Sequence, residues 1–283
     1  IIGKYSFSMS SLESITIPSK LTEIQEGAFC RTLLLNKFNI MPNNPNFICY
    51  NDQFLIGKSS PEKVNFDVLF CSVRNIKKAS IPNFIEIIKD HVFDNCINLR
   101  RIEFPTDSKL RKIEMSAFND VKIRKIVFPP HLTFIGFDAF AQTSELRKIE
   151  FMPNSELQEF NINAFYNSHI ENFTIPKSVT KICDRSFYGC IFLRYVDIPE
   201  NSMLQTIERE AFANSSIESF WIPPNLTQFG QGIFNSCLNL QIIEIAENSD
   251  LQSIESIWLT DNINTLVMIP QSSRHIISGY LCI

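Results

Sequence analysis

An apolar-x-x-apolar-x-apolar run recurs along this chain, opening at Leu12, Leu35, Ile76, Leu99, Ile123, Leu146, Ile170, Leu193, Ile217, Leu240 and Ile263. Each step is 23 or 24 residues, apart from the jump between Leu35 and Ile76. The runs close on alternating apolar and polar residues, as in Ile15-Thr16-Ile17 and Phe173-Thr174-Ile175, which predicts short strands with one buried face. Strands joined by connections of this length must run parallel, and such crossovers are right-handed. Stacked at about 4.8 Å, the eleven strands predict a sheet roughly 50 Å long.

Proline follows ten of these eleven segments, from Pro18 to Pro270, with Ala246 the exception. Lacking an N–H, it stops every strand at the same height. A second landmark keeps the same period. Ala-Phe or a close variant stands at Ala28-Phe29, Val92-Phe93, Ala117-Phe118, Ala139-Phe140, Ala164-Phe165, Ser186-Phe187, Ala211-Phe212 and Ile233-Phe234, with steps from Phe93 onward alternating between 25 and 22 residues. A fixed period of this size predicts a solenoid, and the phenylalanines predict an internal column of rings. Phe7 fits the column 22 residues before Phe29, so the chain begins inside a repeat and reads as a fragment.

Three residues past each ring sits a small group, as at Cys96, Thr143, Ser168, Cys190, Ser215 and Cys237. The three cysteines among these are at least two coils apart, which is too far for a disulfide, so they are expected to be packed core thiols.

The joint pattern Leu-x-x-Ile-x-Ile-Pro, then Leu-x-x-Ile, then Ala-Phe-x-x-Cys-x-x-Leu is well shown between Ile170 and Ile217. It resembles the leucine-rich repeats of the BspA-like surface proteins, and the resemblance covers nearly the whole chain. It implies a right-handed leucine-rich-repeat solenoid, α/β to mainly β, of about eleven coils in a single domain over 1–283. A parallel sheet would form the concave face, with short turns, helical or strand segments on the convex face. It also implies a surface antigen or adhesin, on a cell surface or secreted, that binds a protein or glycan ligand on a host or neighbouring cell. Two alternatives are an intracellular scaffold of the same fold and the binding region of a larger protein whose catalytic domain lies elsewhere.

The break in register between Leu35 and Ile76 predicts an insertion at about 43–75. Two apolar runs, Phe47 to Ile56 and Val64 to Val73, flank Gly57-Lys58-Ser59-Ser60-Pro61-Glu62-Lys63, a hairpin signature with a long turn. A hairpin centred on residue 60 sets Cys49 opposite Cys71, close enough for a disulfide. The other reading is two reduced thiols.

With 45% hydrophobic residues the chain can fill a continuous core, and no apolar run approaches the 18 or more residues of a membrane span. The histidines are isolated, with no H-x-x-x-H and no Cys-x-x-Cys, so neither catalytic residues, metal nor cofactor are expected. Three glycosylation sequons begin at Asn172, Asn214 and Asn225.

The outward strand positions carry more information. One residue before the second apolar position stand Ser14, Lys37, Lys78, Arg101, Lys125, Lys148, Asn172, Tyr195, Ser219, Ile242 and Thr265, five in succession being cationic. Two residues further, in alternate coils, come Glu103, Glu150, Asp197 and Glu244. One reading is a solvated face on which cross-strand Lys–Glu pairs keep like charges apart. The other is a contact surface for an acidic protein or polyanionic glycan, centred on Lys78, Arg101, Lys125, Lys148, Tyr195, Trp221 and Ile242. Nucleic acid is not the expected ligand, since net charge is −4 and no aromatic residues interleave the basic column.

Overall fold

The computed structural model describes residues 1–247 and the strand Leu266–Met268. Among the described residues there is no helix. The chain winds as a stack of coils with three walls, two made of parallel strands and one of turns. The expected helical segments on the far wall are absent for a backbone reason. The residue two before each column phenylalanine has positive φ at Tyr5, Gly27, His91, Ser116, Asp138, Asn163, Arg185, Glu210 and Gly232. The residue two after it does so at Met9, Arg31, Asn95, Asp120, Gln142, Asn167, Gly189, Asn214 and Ser236. A left-handed residue every fourth position cannot belong to a right-handed helix, and each non-glycine there costs about 1–2 kcal/mol. The ladder along the stack compensates: Phe93 N–H donates to the Ala117 carbonyl at 2.8 Å, Phe118 to Ala139 at 2.8 Å and Phe140 to Ala164 at 2.7 Å.

The first wall contains the predicted strands. Lys125–Phe128, Lys148–Phe151, Asn172–Thr174 and Tyr195–Asp197 form its longest unbroken run, with Ser14–Ile17 beside Lys37–Ile40 and Lys78–Ser80 beside Arg101–Glu103 earlier in the chain. The register pairs equivalent positions, as in Ile126 with Ile149 and Phe173 with Val196, so one face of the wall is continuously apolar. At the last strand Leu266 pairs with Ile242 and Val267 with Ile243. That register is one residue off the expected pairing of Thr265 with Ile242. Ile263, Thr265, Pro270 and His275 lie outside the described residues. The second wall is a ten-stranded sheet whose short parallel strands supply the inward column Ile88, Ile113, Ile135, Phe160, Ile182 and Ile207, all fully buried.

The phenylalanine column lies between the walls as the spacing predicts. From Phe93 through Phe118, Phe140, Phe165, Phe187, Phe212 and Phe234, successive rings stack at centroid separations of 4.9, 4.9, 5.3, 5.3, 5.5 and 6.2 Å. Phe7 stacks on Phe29 at 5.8 Å, the earlier end of the same pattern. One hydrophobic cluster runs from Ile17 to Ile245. Cys96, Cys190 and Cys237 are fully buried within it as core thiols, and burial pushes the Cys190 thiol up to about 12. Reactivity requires the thiolate, so such a group is inert near neutral pH.

The insertion departs from the hairpin expectation. It forms a three-stranded antiparallel meander of Phe47–Tyr50, Phe54–Gly57 and Val68–Ser72, and its last strand joins the second wall alongside Ile87–Ile88. Asn51 and Asp52, at φ of 52° and 53°, turn the chain between the first two strands, a turn with two positive φ angles that suits Asn-Asp. The Gly57–Lys63 turn is also present, stitched by buried Asp67, which accepts from the Ser59 N–H at 2.8 Å and the Ser59 hydroxyl at 2.7 Å. The extra strand overturns the proposed disulfide. Cys49 and Cys71 both pair with Leu55, from opposite sides, so the middle strand separates them and both are free thiols.

The insertion also interrupts the wall of turns. Its coil contributes no Ala-Phe turn, so Phe29 and Val92 do not meet by backbone hydrogen bonds as their counterparts do. Arg74, 4% exposed, fills the break: one guanidinium nitrogen donates to the Phe29 carbonyl at 2.8 Å and the other to the Val92 carbonyl at 2.9 Å. The Asp90 carboxylate takes the Gly27 N–H that a backbone carbonyl accepts elsewhere. Buried backbone groups need partners, and here side chains supply them.

Candidate functional site

Strands of period two on a parallel stack turn every outward residue into one member of a column. Register confirms this for the candidate residues: Lys78 pairs with Arg101, Lys125 with Lys148, Lys148 with Asn172, Asn172 with Tyr195, and Ser219 with Ile242. All of these side chains are exposed. The basic residues are therefore neighbours across strands, where like charges repel.

The acidic column divides them into two clusters. Glu103 accepts Lys78 at 2.8 Å and Arg101 at 2.6 Å, and Glu150 accepts Lys125 at 2.7 Å and Lys148 at 2.6 Å. Each cluster of two cations and one carboxylate keeps a net charge of +1. Hydrogen bonding from Lys78 holds the Glu103 carboxyl below the usual glutamate value, and Lys125 and Lys148 do the same for Glu150. Exposed pairs of this kind add little stability, but they fix where positive charge stands on the face. Beside the column, Arg124 reaches Glu145 at 3.6 Å, and the Arg147 guanidinium stacks over the Phe192 ring at 4.4 Å.

Further along, the face becomes aromatic and apolar. Tyr195 is 48% exposed and donates its hydroxyl to Glu218, which also receives Arg194 at 3.8 Å. Ile242 is 37% exposed. Trp221 points outward on Ser219–Ile222 but is half-buried, its ring packed on the core cluster. A groove of about 680 Å³ borders the column at Lys148, Glu150, Asn172 and Thr174, and continues to Lys177 and Asn201 beyond the strand ends. Of the sequon residues, Asn172 lies exposed in the column, Asn214 is half-buried, and the Asn225 amide donates to the Ser202 carbonyl at 2.8 Å.

The fold also assembles a group that local spacing did not signal. Cys30, His91 and Asp94 converge at the break in the turn wall, their ligand-type atoms all within 4.8 Å of one another. Cys30 and Asp94 are buried and His91 is half-buried. Burial opposes charge on His91, but hydrogen bonds to Asp94 and Cys30 outweigh it and push the imidazole up to about 10. Among the other described histidines, His131 pairs with Glu156 at 2.8 Å and His169 packs edge-on against Phe192.

The sequence model of the BspA type leucine rich repeat region matches this chain in six copies, over residues 1–54, 66–184 and 158–280. Among solved structures, a leucine-rich repeat protein from Eubacterium ventriosum superposes with a TM-score of 0.61 at 20% identity, over 80% of this chain and 59% of its own. A second from Bacteroides ovatus gives 0.52 at 21% identity, over 73% of this chain and 57% of its own. This chain thus spans less than three fifths of either protein, and the likeness is one of fold. No curated protein matches it. Among the described residues, no helix is long and apolar enough to cross a membrane.

Proposed function

From the premise that this chain belongs to the BspA-type leucine-rich repeat family, we propose that it is a non-enzymatic binding module displayed on a cell surface, whose first-wall column contacts an anionic protein or glycan. What carries the reading is the pair of register-aligned cation pairs, Lys78 with Arg101 and Lys125 with Lys148, followed along the wall by Tyr195 and Ile242, with Trp221 two residues further along the strand that begins at Ser219. Charged clusters that keep net positive charge attract an anionic partner, and an aromatic and apolar end supplies contact area, the composition enriched in interface centres. The two glutamates hold the cations apart while the face is free, and a ligand carboxylate or sulfate would compete with them for the same donors.

The test is affinity for immobilised sulfated glycans and extracellular-matrix proteins. Charge reversal at Arg101 and Lys125 is expected to weaken binding by about tenfold or more and leave the thermal melt unaltered. Glu103→Gln together with Glu150→Gln is expected to strengthen it, because two competing carboxylates are removed. If both double variants bind as the parent does, the site lies elsewhere.

The depressed carboxyls give the pH dependence. A carboxyl whose folded value lies below its ordinary 4.5 contributes while ionised, and that contribution disappears as pH falls through the lowered folded value. Below that window Glu103 and Glu150 are neutral and the cations stand uncompensated. Binding to a sulfated glycan, which stays ionised there, is therefore expected to tighten as pH falls through and below 4.5. In the Glu103→Gln, Glu150→Gln variant that rise should disappear. A rise of equal size in the variant would assign the effect to other groups.

A further inference from the structure

Cys30, His91 and Asp94 come from turns on either side of the insertion, and no local motif links them. We propose that they form a zinc site that clamps the first coils to the rest of the stack.

A thiolate, an imidazole and a carboxylate are zinc ligands, and the thiolate disfavours calcium or magnesium. Bound as thiolate and carboxylate, Cys30 and Asp94 would offset the two charges of a divalent ion, with His91 giving up its proton on binding and the Arg74 guanidinium remaining beside the set. The distances also fit. Zinc bonds of about 2.0 Å to nitrogen or oxygen and 2.3 Å to sulfur, arranged tetrahedrally, give edges of about 3.3 Å for N···O and 3.5 Å for S···O. His91 Nδ1 stands 3.1 Å from Asp94 Oδ2, and Cys30 Sγ stands 3.6 Å from that oxygen.

The surroundings add two further observations. Asp94 Oδ1 accepts from the Asn95 side-chain amide at 2.7 Å, which fixes the carboxylate with its other oxygen toward Cys30 and His91, as outer partners orient metal ligands. A cavity of about 10 Å³, bordered by Gly27, Cys30, Asp90 and His91, has room for about one water, the usual fourth ligand of a three-residue site. Arg31 Nε reaches to 4.0 Å from Asp94 Oδ2, but its side chain is half exposed and free to withdraw into solvent. The buried Arg74 guanidinium faces backbone carbonyls and is not displaced.

The chain is stripped with a chelator and reloaded with one equivalent of Zn²⁺ or Co²⁺. One ion per chain should survive gel filtration, and bound cobalt should show a thiolate charge-transfer band that vanishes in Cys30→Ser and persists in Cys49→Ser. Asn95→Gly, which keeps the left-handed backbone at φ of 56°, should weaken the affinity by about 10–100-fold. If Cys30→Ser fails to fold without metal, His91→Asn carries the test, since asparagine tolerates the φ of 57° at that position. Loss of the ion in that variant, with the metal-free melt unchanged, supports the site. No retained metal in the parent chain, or an unchanged cobalt band in both Cys30→Ser and His91→Asn, overturns it.

Discussion

Phe165→Ala is expected to cost about 3–5 kcal/mol and to lower the melting midpoint by on the order of 10 °C. Phe165 is fully buried, with Phe140 and Phe187 stacked on its two sides at 5.3 Å and the Phe160 ring edge-on at 6.1 Å. Alanine leaves a hole the size of a ring in a column whose members are held by backbone ladders on three walls, so the neighbours cannot collapse into it. The first-wall face is expected to keep its chemistry, because Lys148 and Asn172 point away from that column. Leu238→Ala, at a side chain 80% exposed, serves as the control and should change stability by less than about 0.5 kcal/mol. Calorimetry of the two variants decides the matter. Equal melts would mean that the ring is not interior.

Arg74→Met is expected to cost about 2–4 kcal/mol, with the damage confined to one end of the stack. Methionine keeps much of the stem's volume but removes the guanidinium donors from the Phe29 and Val92 carbonyls at 2.8 and 2.9 Å, leaving the Thr32 and Ser72 hydroxyls as their side-chain donors, and it removes the positive charge beside buried Asp94. Lysine should rescue only in part, since a single ammonium cannot span two carbonyls as the planar fork does. A solenoid is stabilised through contacts between neighbouring coils, so a weak junction uncouples what lies beyond it. In native-state hydrogen exchange, amides before residue 40 should lose protection in Arg74→Met while those beyond residue 90 keep theirs. Uniform loss along the chain would assign Arg74 a different role.

The period-two runs, the prolines and the ring spacing all made the stack legible, because each follows from a backbone rule that repeats. One outward position per run therefore predicts the cross-strand pairs Lys78 with Arg101 and Lys125 with Lys148 that the register shows. The turn wall was harder to read. Its left-handed positions hold Tyr5, His91, Arg185 and Glu210 as well as Gly27 and Gly232, so the glycine and asparagine signal of such turns is diluted. The ladder along the stack, not local preference, imposes those angles. Two apolar runs alone predict two strands with Cys49 opposite Cys71, whereas the first run itself folds into two strands. Asn51-Asp52 held the signal for a third, and one extra strand separates the thiols. Arg74, and the meeting of Cys30 with His91 and Asp94, had no signal at all. Both depend on which coils become neighbours once the insertion omits a turn.

Residues one repeat apart are neighbours along a single stack. Spin labels placed in pairs on outward positions, by chemistry that bypasses the native thiols, measure this directly. Counted in coils at about 4.8 Å each, Arg101 to Lys148 should give a backbone separation near 10 Å, Arg101 to Ser219 near 24 Å and Lys78 to Ile242 near 34 Å. A steady rise with coil number is the predicted result. Distances that level off, or that fail to follow the order of the coils, would contradict it.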